Sequence, residues 1–192
     1  MFENLVRHIQ KFVALNEEEQ IILRSYVKFE KIKKKQYLLQ EGQFCHANWF
    51  IVKGCLRSYT LKENGNKQMV QFAIENWWLT DYFSFEQKKP SKLFIQTVED
   101  CELISIDDRT SEDLFAKIPQ LERYFRLILQ KSYAASLMRL QYMFNLSPEE
   151  RFHHFNENFP SFIQRVPQYM LASYLGFTPE FLSKIRAKMA DS

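Results

Sequence analysis

The feature that most constrains the fold is a change of sequence texture across residues 29–106. There, short runs rich in Val, Ile, Phe and Thr alternate with turn residues, whereas apolar residues on either side recur every three or four positions. Short strands at this spacing are typical of an antiparallel sandwich or barrel. Asn64-Gly65 separates the runs 56–61 and 68–73, so we expect a two-residue hairpin turn with positive φ at both residues. The pattern predicts an α+β protein.

Composition narrows the possible function classes. The chain has 192 residues and is 46% hydrophobic, with 18 Phe, 9 Tyr and 3 Trp, so it can bury a sizeable core. Its formal net charge of +3 permits nucleic-acid binding without indicating it. The sequence has no glycine-rich phosphate loop, nucleophile elbow or HExxH motif. We therefore expect no catalytic residues, no enzyme activity and no cofactor.

The cysteine pattern and the lengths of the apolar runs bear on metal content and location. Cys45, Cys55 and Cys101 form no CxxC pair, so we expect neither a zinc site nor an iron–sulfur cluster. No segment has enough consecutive apolar residues to span a membrane. No basic stretch leads into an apolar run at the N-terminus. We expect a cytoplasmic protein without a membrane partner.

Helical segments flank the β-rich region. Residues 2–28 predict helical structure, with a second helix starting at Asn16. Helical periodicity returns at about Ser111 and produces a long apolar stripe. This stripe either packs on its own domain or faces a partner helix in a symmetric dimer, and periodicity alone leaves both open. Its members are Leu121, Phe125, Ile128, Ser132, Ala135, Met138 and Tyr142.

A new helix is predicted directly after this stripe. Ser147 can cap it, Pro148 fits its first turn, and Glu149 and Glu150 favour a helix N-terminus. We expect the helix to end near Phe159. This position also predicts a domain boundary, because the sequence that follows has a different character.

The C-terminal segment is the most informative about function. A short amphipathic helix starts near Pro167 and ends at Gly176, because glycine readily adopts the left-handed conformation of a helix end. Ala172 leaves space for a close helix crossing, and Thr178 can cap a second helix that Pro179 opens. This arrangement predicts a DNA-binding helix-turn-helix. The simpler alternative is a helical hairpin packed against the first domain.

Residues 166–188 resemble the helix-turn-helix of the cyclic-AMP receptor protein/Fnr (Crp/Fnr) family of bacterial transcription regulators. Residues 48–57 resemble the Ile-Val-x-Gly strand and turn of that family's sensor barrel. The resemblance implies an N-terminal antiparallel β-barrel (jelly roll) like that of cyclic-nucleotide-binding domains, flanked by helices. It further implies a sensor domain over residues 1–115, a dimerisation helix over 116–145 and a DNA-binding domain over 146–192.

The resemblance also implies partners and site residues. Members of the family are homodimers that bind palindromic double-stranded DNA, and RNA polymerase is a further implied partner. Pro179 cannot make the bidentate guanine contact that an arginine would make there, so the operator sequence is not predicted. Glu180 and Lys184 occupy the other base-reading positions. The DNA-binding residues carried over are Thr178, Pro179, Glu180, Ser183, Lys184 and Arg186.

The cyclic-nucleotide motifs of the family are degraded in this chain. Thr80-Asp81 stands where the family has Gly-Glu, and Ser91-Lys92 stands where it has Arg-Ser or Arg-Thr. Without the arginine fork, the bidentate phosphate contact is lost. We therefore expect no control by cyclic AMP, although an unidentified small-molecule effector stays open. Its predicted pocket residues are Asp81, Tyr82, Ser91 and Lys92.

An alternative function is a ligand-binding or protein-interaction module with a vestigial helix-turn-helix. The modest positive charge of the C-terminal segment keeps this alternative open. DNA binding that weakens steeply with salt would favour the regulator.

Overall fold

The computed structural model describes residues 1–190, without the side chains of Met189 and Ala190. It contains two compact units, one formed by residues 1–60 and 71–129, the other by residues 61–70 and those from 130 onward. The predicted α+β class is confirmed. In chain order, the described elements are α1 (Phe2–Ile9), α2 (Glu17–Tyr26), β1 (Val27–Ile32), β2 (Tyr37–Leu39), β3 (Ala47–Lys53), β4 (Leu56–Leu61), β5 (Lys67–Ala73), β6 (Trp78–Leu79), α3 (Tyr82–Gln87), β7 (Phe94–Thr97), β8 (Cys101–Asp107), α4 (Asp108–Lys117), α5 (Gln120–Asn145), α6 (Pro148–Asn158), α7 (Pro160–Arg165), α8 (Gln168–Leu175) and α9 (Pro179–Ala190).

The strands form two four-stranded sheets, ordered β1-β8-β3-β6 and β2-β7-β4-β5. In the first sheet, β3 and β8 are antiparallel, with Phe50 opposite Ile104 and Ile51 opposite Leu103. Because side chains alternate along a strand, the first pair faces one side of the sheet and the second pair faces the other. Phe50 and Ile104 join an apolar cluster with α1, α4 and the start of α5. Ile51 and Leu103 join a second cluster with residues of β4 and β7. The central strands β3 and β8 are therefore covered on both faces of the sheet.

The turn between β4 and β5 differs from the predicted two-residue turn. Only Gly65 has positive φ there, at +77°, and Asn64 does not. The Gly65 N–H donates to the Lys62 carbonyl at 2.8 Å, and the Lys62 N–H donates to the Asn66 carbonyl at 2.9 Å. This pattern is a three-residue loop with a left-handed glycine at its end. The Asn64 side chain stabilises it by accepting from the Asn66 N–H at 3.1 Å.

Gly54 lies in the tight turn between β3 and β4. Its φ is +106°, and an added Cβ would lie 2.6 Å from the Cys101 Sγ and 2.9 Å from the Asp100 carbonyl oxygen. Gly42 has a similar φ of +85° but open space where its Cβ would be. Substitution of Gly42 by alanine therefore measures only the free-energy cost of holding a non-glycine residue at positive φ. We expect Gly42→Ala to lower the unfolding free energy by about 1–2 kcal/mol.

Gly54→Ala adds a clash to the same conformational cost. The neighbouring atoms are backbone and a buried thiol, so they cannot move aside cheaply. We expect this substitution to cost about 1–3 kcal/mol more than Gly42→Ala. Denaturant-induced unfolding of the two variants measures the difference, and equal costs would show that the turn relaxes around the new methyl group.

The first half of α5 is anchored in the N-terminal unit by Tyr124. The buried Tyr124 hydroxyl lies 2.8 Å from the His8 Nδ1 and accepts from the Trp78 Nε1 at 2.8 Å. An indole can only donate, so the phenol oxygen is the acceptor in the bond from Trp78. Burial raises the pKa of Tyr124. The phenol therefore stays protonated and holds α1, β6 and α5 together.

The second half of α5 is exposed, and its most apolar face is not the predicted stripe. Of the predicted residues, Leu121 is buried and Phe125 and Ile128 pack against the core, whereas Ser132, Ala135 and Met138 are exposed. A separate apolar face lies within an arc of about 60° at 3.6 residues per turn. It consists of Tyr133, Leu137, Leu140 and Phe144, whose side chains are 67%, 43%, 50% and 82% exposed. We call these four residues the α5 apolar face.

Candidate nucleic-acid interface

The turn between α8 and α9 has the geometry expected of a helix-turn-helix. Gly176 has a φ of +82° and follows the last residue of α8. The Phe177 N–H donates to the Ala172 carbonyl at 2.8 Å, and the Gly176 N–H donates to the Ser173 carbonyl at 3.3 Å. These two bonds form a Schellman motif, which satisfies carbonyls at the end of α8. The predicted glycine turn is present.

The next helix begins as the sequence predicts. The Thr178 hydroxyl accepts from the Phe181 N–H at 3.2 Å and so caps α9. The backbone N–H of Glu180, together with the Thr178 hydroxyl, lowers the pKa of the Glu180 carboxyl. This side chain is therefore an ionised acceptor in the first turn of α9. An ionised carboxylate can accept a hydrogen bond from the exocyclic amine of cytosine.

Burial separates the two faces of α9. Leu182 and Ile185 are buried, and Ala172 of α8 is completely buried, as expected where two helices cross closely. The side chains predicted to contact DNA are all exposed. These are Thr178, Pro179, Glu180, Ser183, Lys184 and Arg186.

The Arg151 side chain of α6 holds the turn between α8 and α9 in place. Its guanidinium donates to the Leu175 carbonyl at 2.8 Å and to the carbonyls of Met143 and Leu146 at 3.1 and 3.2 Å. It also lies over the Phe177 ring, at 5.5 Å from the centroid. A single side chain thus satisfies carbonyls at the ends of α5 and α8 and holds the turn against both helices.

The loop and strand residues 61–70 contact α8 directly. The Ser173 hydroxyl donates to the Lys67 carbonyl at 3.0 Å and accepts from the Met69 N–H at 2.9 Å. The Gln68 Nε2 donates to the Ser173 carbonyl at 2.7 Å. Ser173 therefore holds the edge of β5 against the first helix of the helix-turn-helix. We call this arrangement the hairpin contact.

Arg139 of α5 reinforces the hairpin contact. Its guanidinium donates to the Val70 carbonyl and, at 3.0 Å, to the Tyr174 carbonyl. It also lies 3.9 Å from the centroid of the Tyr174 ring. A guanidinium that bonds two carbonyls and stacks on a ring is held in one orientation. Arg139 thus joins α5, α8 and the hairpin.

Removing the Ser173 hydroxyl is expected to loosen the hairpin. Ser173→Ala leaves the Met69 N–H and the Lys67 carbonyl without this partner, so we expect the unfolding free energy to fall by about 1–2 kcal/mol. Hydrogen exchange at the Met69 amide should accelerate by a factor of about ten. Ser136→Ala is the matched control, because the Ser136 hydroxyl bonds only within α5, to the Ser132 carbonyl. Unchanged exchange at Met69 would show that other contacts hold the hairpin.

Comparison with known proteins shows what the chain is similar to. Residues 29–117 match the model of the cyclic nucleotide-binding domain. The fumarate and nitrate reduction regulatory protein of Escherichia coli (strain K12) is 25% identical, over 93% of this chain and 76% of its own length. The c-di-GMP responsive global regulator CLP of Xanthomonas campestris superimposes with a TM-score of 0.74 at 12% identity, over 92% of each chain. A transcriptional regulator of the Crp/Fnr family from Eubacterium rectale gives a TM-score of 0.69 at 13% identity, over 92% of this chain and 85% of its own.

The chain therefore resembles transcription regulators of the Crp/Fnr type in sequence, and residues 29–117 match a cyclic nucleotide-binding domain. Its relatives are regulatory proteins, which agrees with the expectation that it is not an enzyme. Among the described residues, no helix is long and apolar enough to cross a membrane.

Two of the four predicted pocket residues are in contact. The buried Asp81 carboxylate caps α3 and accepts from the N–H groups of Phe83 and Ser84 at 3.1 and 3.3 Å. Its other oxygen accepts from the buried Ser91 hydroxyl at 2.6 Å. Asp81 therefore places an internal negative charge on the same donors that an anionic ligand would need. Tyr82 and Lys92 are exposed and are not part of this cluster.

Sequence reasoning missed three residues that shape the interface. Arg139, Arg151 and Ser173 bond to backbone atoms that lie far away in sequence, and their residue types are common on helix surfaces. Nothing in the residues next to Arg139 in the sequence identifies its role. The fold alone brings these partners together.

Proposed function

We propose that the protein binds palindromic double-stranded DNA as a homodimer and regulates transcription without control by cyclic AMP. The observation that carries this proposal is the set of exposed polar side chains on α9. This helix follows the glycine turn at Gly176 and packs against α8 through buried residues. In helix-turn-helix proteins, this second helix enters the major groove. The similarity to Crp/Fnr-type proteins supports a role as a transcription regulator.

The residues of α9 divide by position along the helix. Pro179, Glu180 and Lys184 are proposed to face base edges, while Thr178 and Ser183 approach the phosphate backbone. Arg186 lies further along α9 and is also exposed. Glu180 supplies a hydrogen-bond acceptor and Lys184 a donor. Together they can pair with donor groups and with acceptor groups on the base edges. The Thr178 cap fixes where α9 begins, and the start of the helix sets how α9 is aligned with the DNA groove.

The α5 apolar face is proposed to be the homodimer interface. Four large apolar side chains exposed along one face of a helix need a partner surface, because their hydration is unfavourable. A second copy of the same helix supplies a matching surface under twofold symmetry. The proposed division is a sensor domain over residues 1–115, a dimerisation helix over 116–145 and a DNA-binding domain over 146–192, whose last two residues lie outside the described part.

Independence from cyclic AMP is supported by the Asp81 carboxylate. It occupies the N–H donors at the start of α3, and an incoming phosphate would be repelled by the same charge. We further propose that RNA polymerase is a partner of the bound dimer, and that the protein acts in the cytoplasm.

Selection from a random DNA library with the full chain tests the proposal. We expect a palindromic motif with half-sites about one helical turn apart, because paired recognition helices face successive major grooves. Binding to the selected DNA should weaken by at least about 10-fold between 50 and 200 mM salt, because phosphate contacts release counterions. Absence of any enriched motif at low salt would favour the alternative, a protein-interaction module with a vestigial helix-turn-helix.

A further inference from the structure

Arg57 in β4 is a buried cation without a carboxylate partner. The residue is only 4% exposed to solvent. The Nε donates to the Gln96 Oε1 at 3.2 Å, and the Nη2 donates to the same oxygen. Within the described residues, no carboxylate oxygen lies within 4.0 Å of the guanidinium, and the buried Nη1 has no hydrogen-bond partner. The charge is therefore neither exposed to solvent nor neutralised.

The orientation of Gln96 leaves the Nη1 end of the guanidinium without a hydrogen-bond partner. The Gln96 Nε2 donates to the Lys35 carbonyl at 2.9 Å, which fixes the amide with its oxygen towards Arg57. That oxygen occupies the Nε–Nη2 edge only. The Nη1–Nη2 edge carries two parallel N–H groups, whose spacing matches the two oxygens of a carboxylate or a phosphate.

Aromatic side chains surround this guanidinium on one side. It lies over the Tyr59 ring, 4.9 Å from the centroid, and the Tyr59 ring stacks on Phe94 at 5.0 Å. The Tyr59 hydroxyl is 3.1 Å from the hydroxyl of Tyr37. Tyr37 is 41% exposed, so the aromatic cluster extends from the protein surface to the buried cation. These groups provide phenol donors and ring faces beside the positive charge.

We propose that Arg57 anchors a binding site for a small ligand bearing a carboxylate or a phosphate. A buried cation is costly unless an anion and good hydrogen bonds compensate it, and an oxyanion on the Nη1–Nη2 edge supplies both. The site differs from the Asp81–Ser91 cluster, where the internal carboxylate takes the donors. It does not depend on the proposed DNA binding, because it lies entirely in residues of the N-terminal unit.

Thermal unfolding of the full chain tests the site with inorganic phosphate and with acetate, each compared with chloride at equal ionic strength. We expect a saturable rise of the midpoint, about 3–6 °C at ten times the dissociation constant. A rise with phosphate alone identifies a phosphate site, and a rise with acetate alone identifies a carboxylate site. A rise that is the same with chloride, or that does not saturate, would overturn the proposal.

Variants connect the effect to Arg57. We expect Arg57→Met to abolish the anion-dependent rise of the unfolding midpoint. Arg57→Lys should weaken anion binding at least about 10-fold, because an ammonium cannot donate two parallel hydrogen bonds to the anion. Arg109→Met is the matched control, because Arg109 is exposed, and it should keep the full rise. An equal rise in Arg57→Met would contradict the site.

A measurement on the unaltered protein covers the case in which the Arg57 variants do not fold. Crystals grown in selenate should show anomalous density within hydrogen-bond distance of the Arg57 Nη1. Selenate only at surface lysines, which is an adventitious ion only, would overturn the proposal.

Discussion

Replacing Leu137 and Leu140 with glutamate is expected to convert the protein from a dimer to a monomer in solution. Both side chains lie on the α5 apolar face, and each is about half exposed in the single chain. In a symmetric dimer the double variant removes four buried leucines, a loss of about 6 kcal/mol at about 1.5 kcal/mol per side chain. That corresponds to a dimer weaker by about 10⁴-fold, before any repulsion between the new carboxylates.

Sedimentation or light scattering gives the mass of each variant. Met138→Glu is the matched control, because Met138 is also exposed and apolar but lies about 100° around α5 from Leu137. It also belongs to the stripe that periodicity predicted. A monomer from Met138→Glu, with the Leu137 and Leu140 variant still dimeric, would place the interface on the predicted stripe instead.

Loss of the dimer should also weaken DNA binding. A monomer presents one recognition helix, so it reads one half-site and loses the second set of base and phosphate contacts. We expect the affinity for a palindromic operator to fall by about 10³-fold, towards the non-specific range. If the monomer kept full affinity, a single protomer would recognise the operator, and the proposal of a palindromic operator would be wrong.

Local features of α8 and α9 could be predicted from the sequence because their causes lie within a few residues. Gly176 ends a helix through its own backbone conformation, and Thr178 caps the next one through its own hydroxyl. The turn at Asn64-Gly65 was only half predictable. The same dipeptide fits a two-residue turn and a three-residue loop, and the strand ends decide between them.

Non-local contacts explain what the sequence could not indicate. The bond from Gln68 to Ser173 joins residues 105 positions apart, and the bond from Arg57 to Gln96 joins residues 39 positions apart. Neither partner identifies the other by residue type. The α5 apolar face was missed for a different reason. Periodicity found a face that continues into the core, and only burial shows which part of α5 stays uncovered.

Substitutions on α9 should separate base recognition from phosphate contact. Lys184 and Glu180 are proposed to face bases, whereas Arg186 lies further along α9. We expect Lys184→Ala to weaken binding to the selected operator by about 30-fold or more, since each half-site of a dimer loses about 1–3 kcal/mol. Its affinity for random DNA should change little. Arg186→Ala should weaken both DNAs equally and reduce the salt dependence by about one counterion per protomer.

Glu180→Gln provides the most specific test of base recognition. An ionised carboxylate at Glu180 would accept from cytosine, whereas a glutamine amide also donates and prefers adenine. A change in the selected motif from a C·G to an A·T pair, at the same position in both half-sites, would place this side chain in the major groove. Glu41→Gln is the charge control, because it makes the same charge change at an exposed residue of the N-terminal unit, and it should select the unchanged motif. An unchanged motif in Glu180→Gln would remove Glu180 from the base contacts, since a residue that contacts only phosphate cannot alter which base is selected.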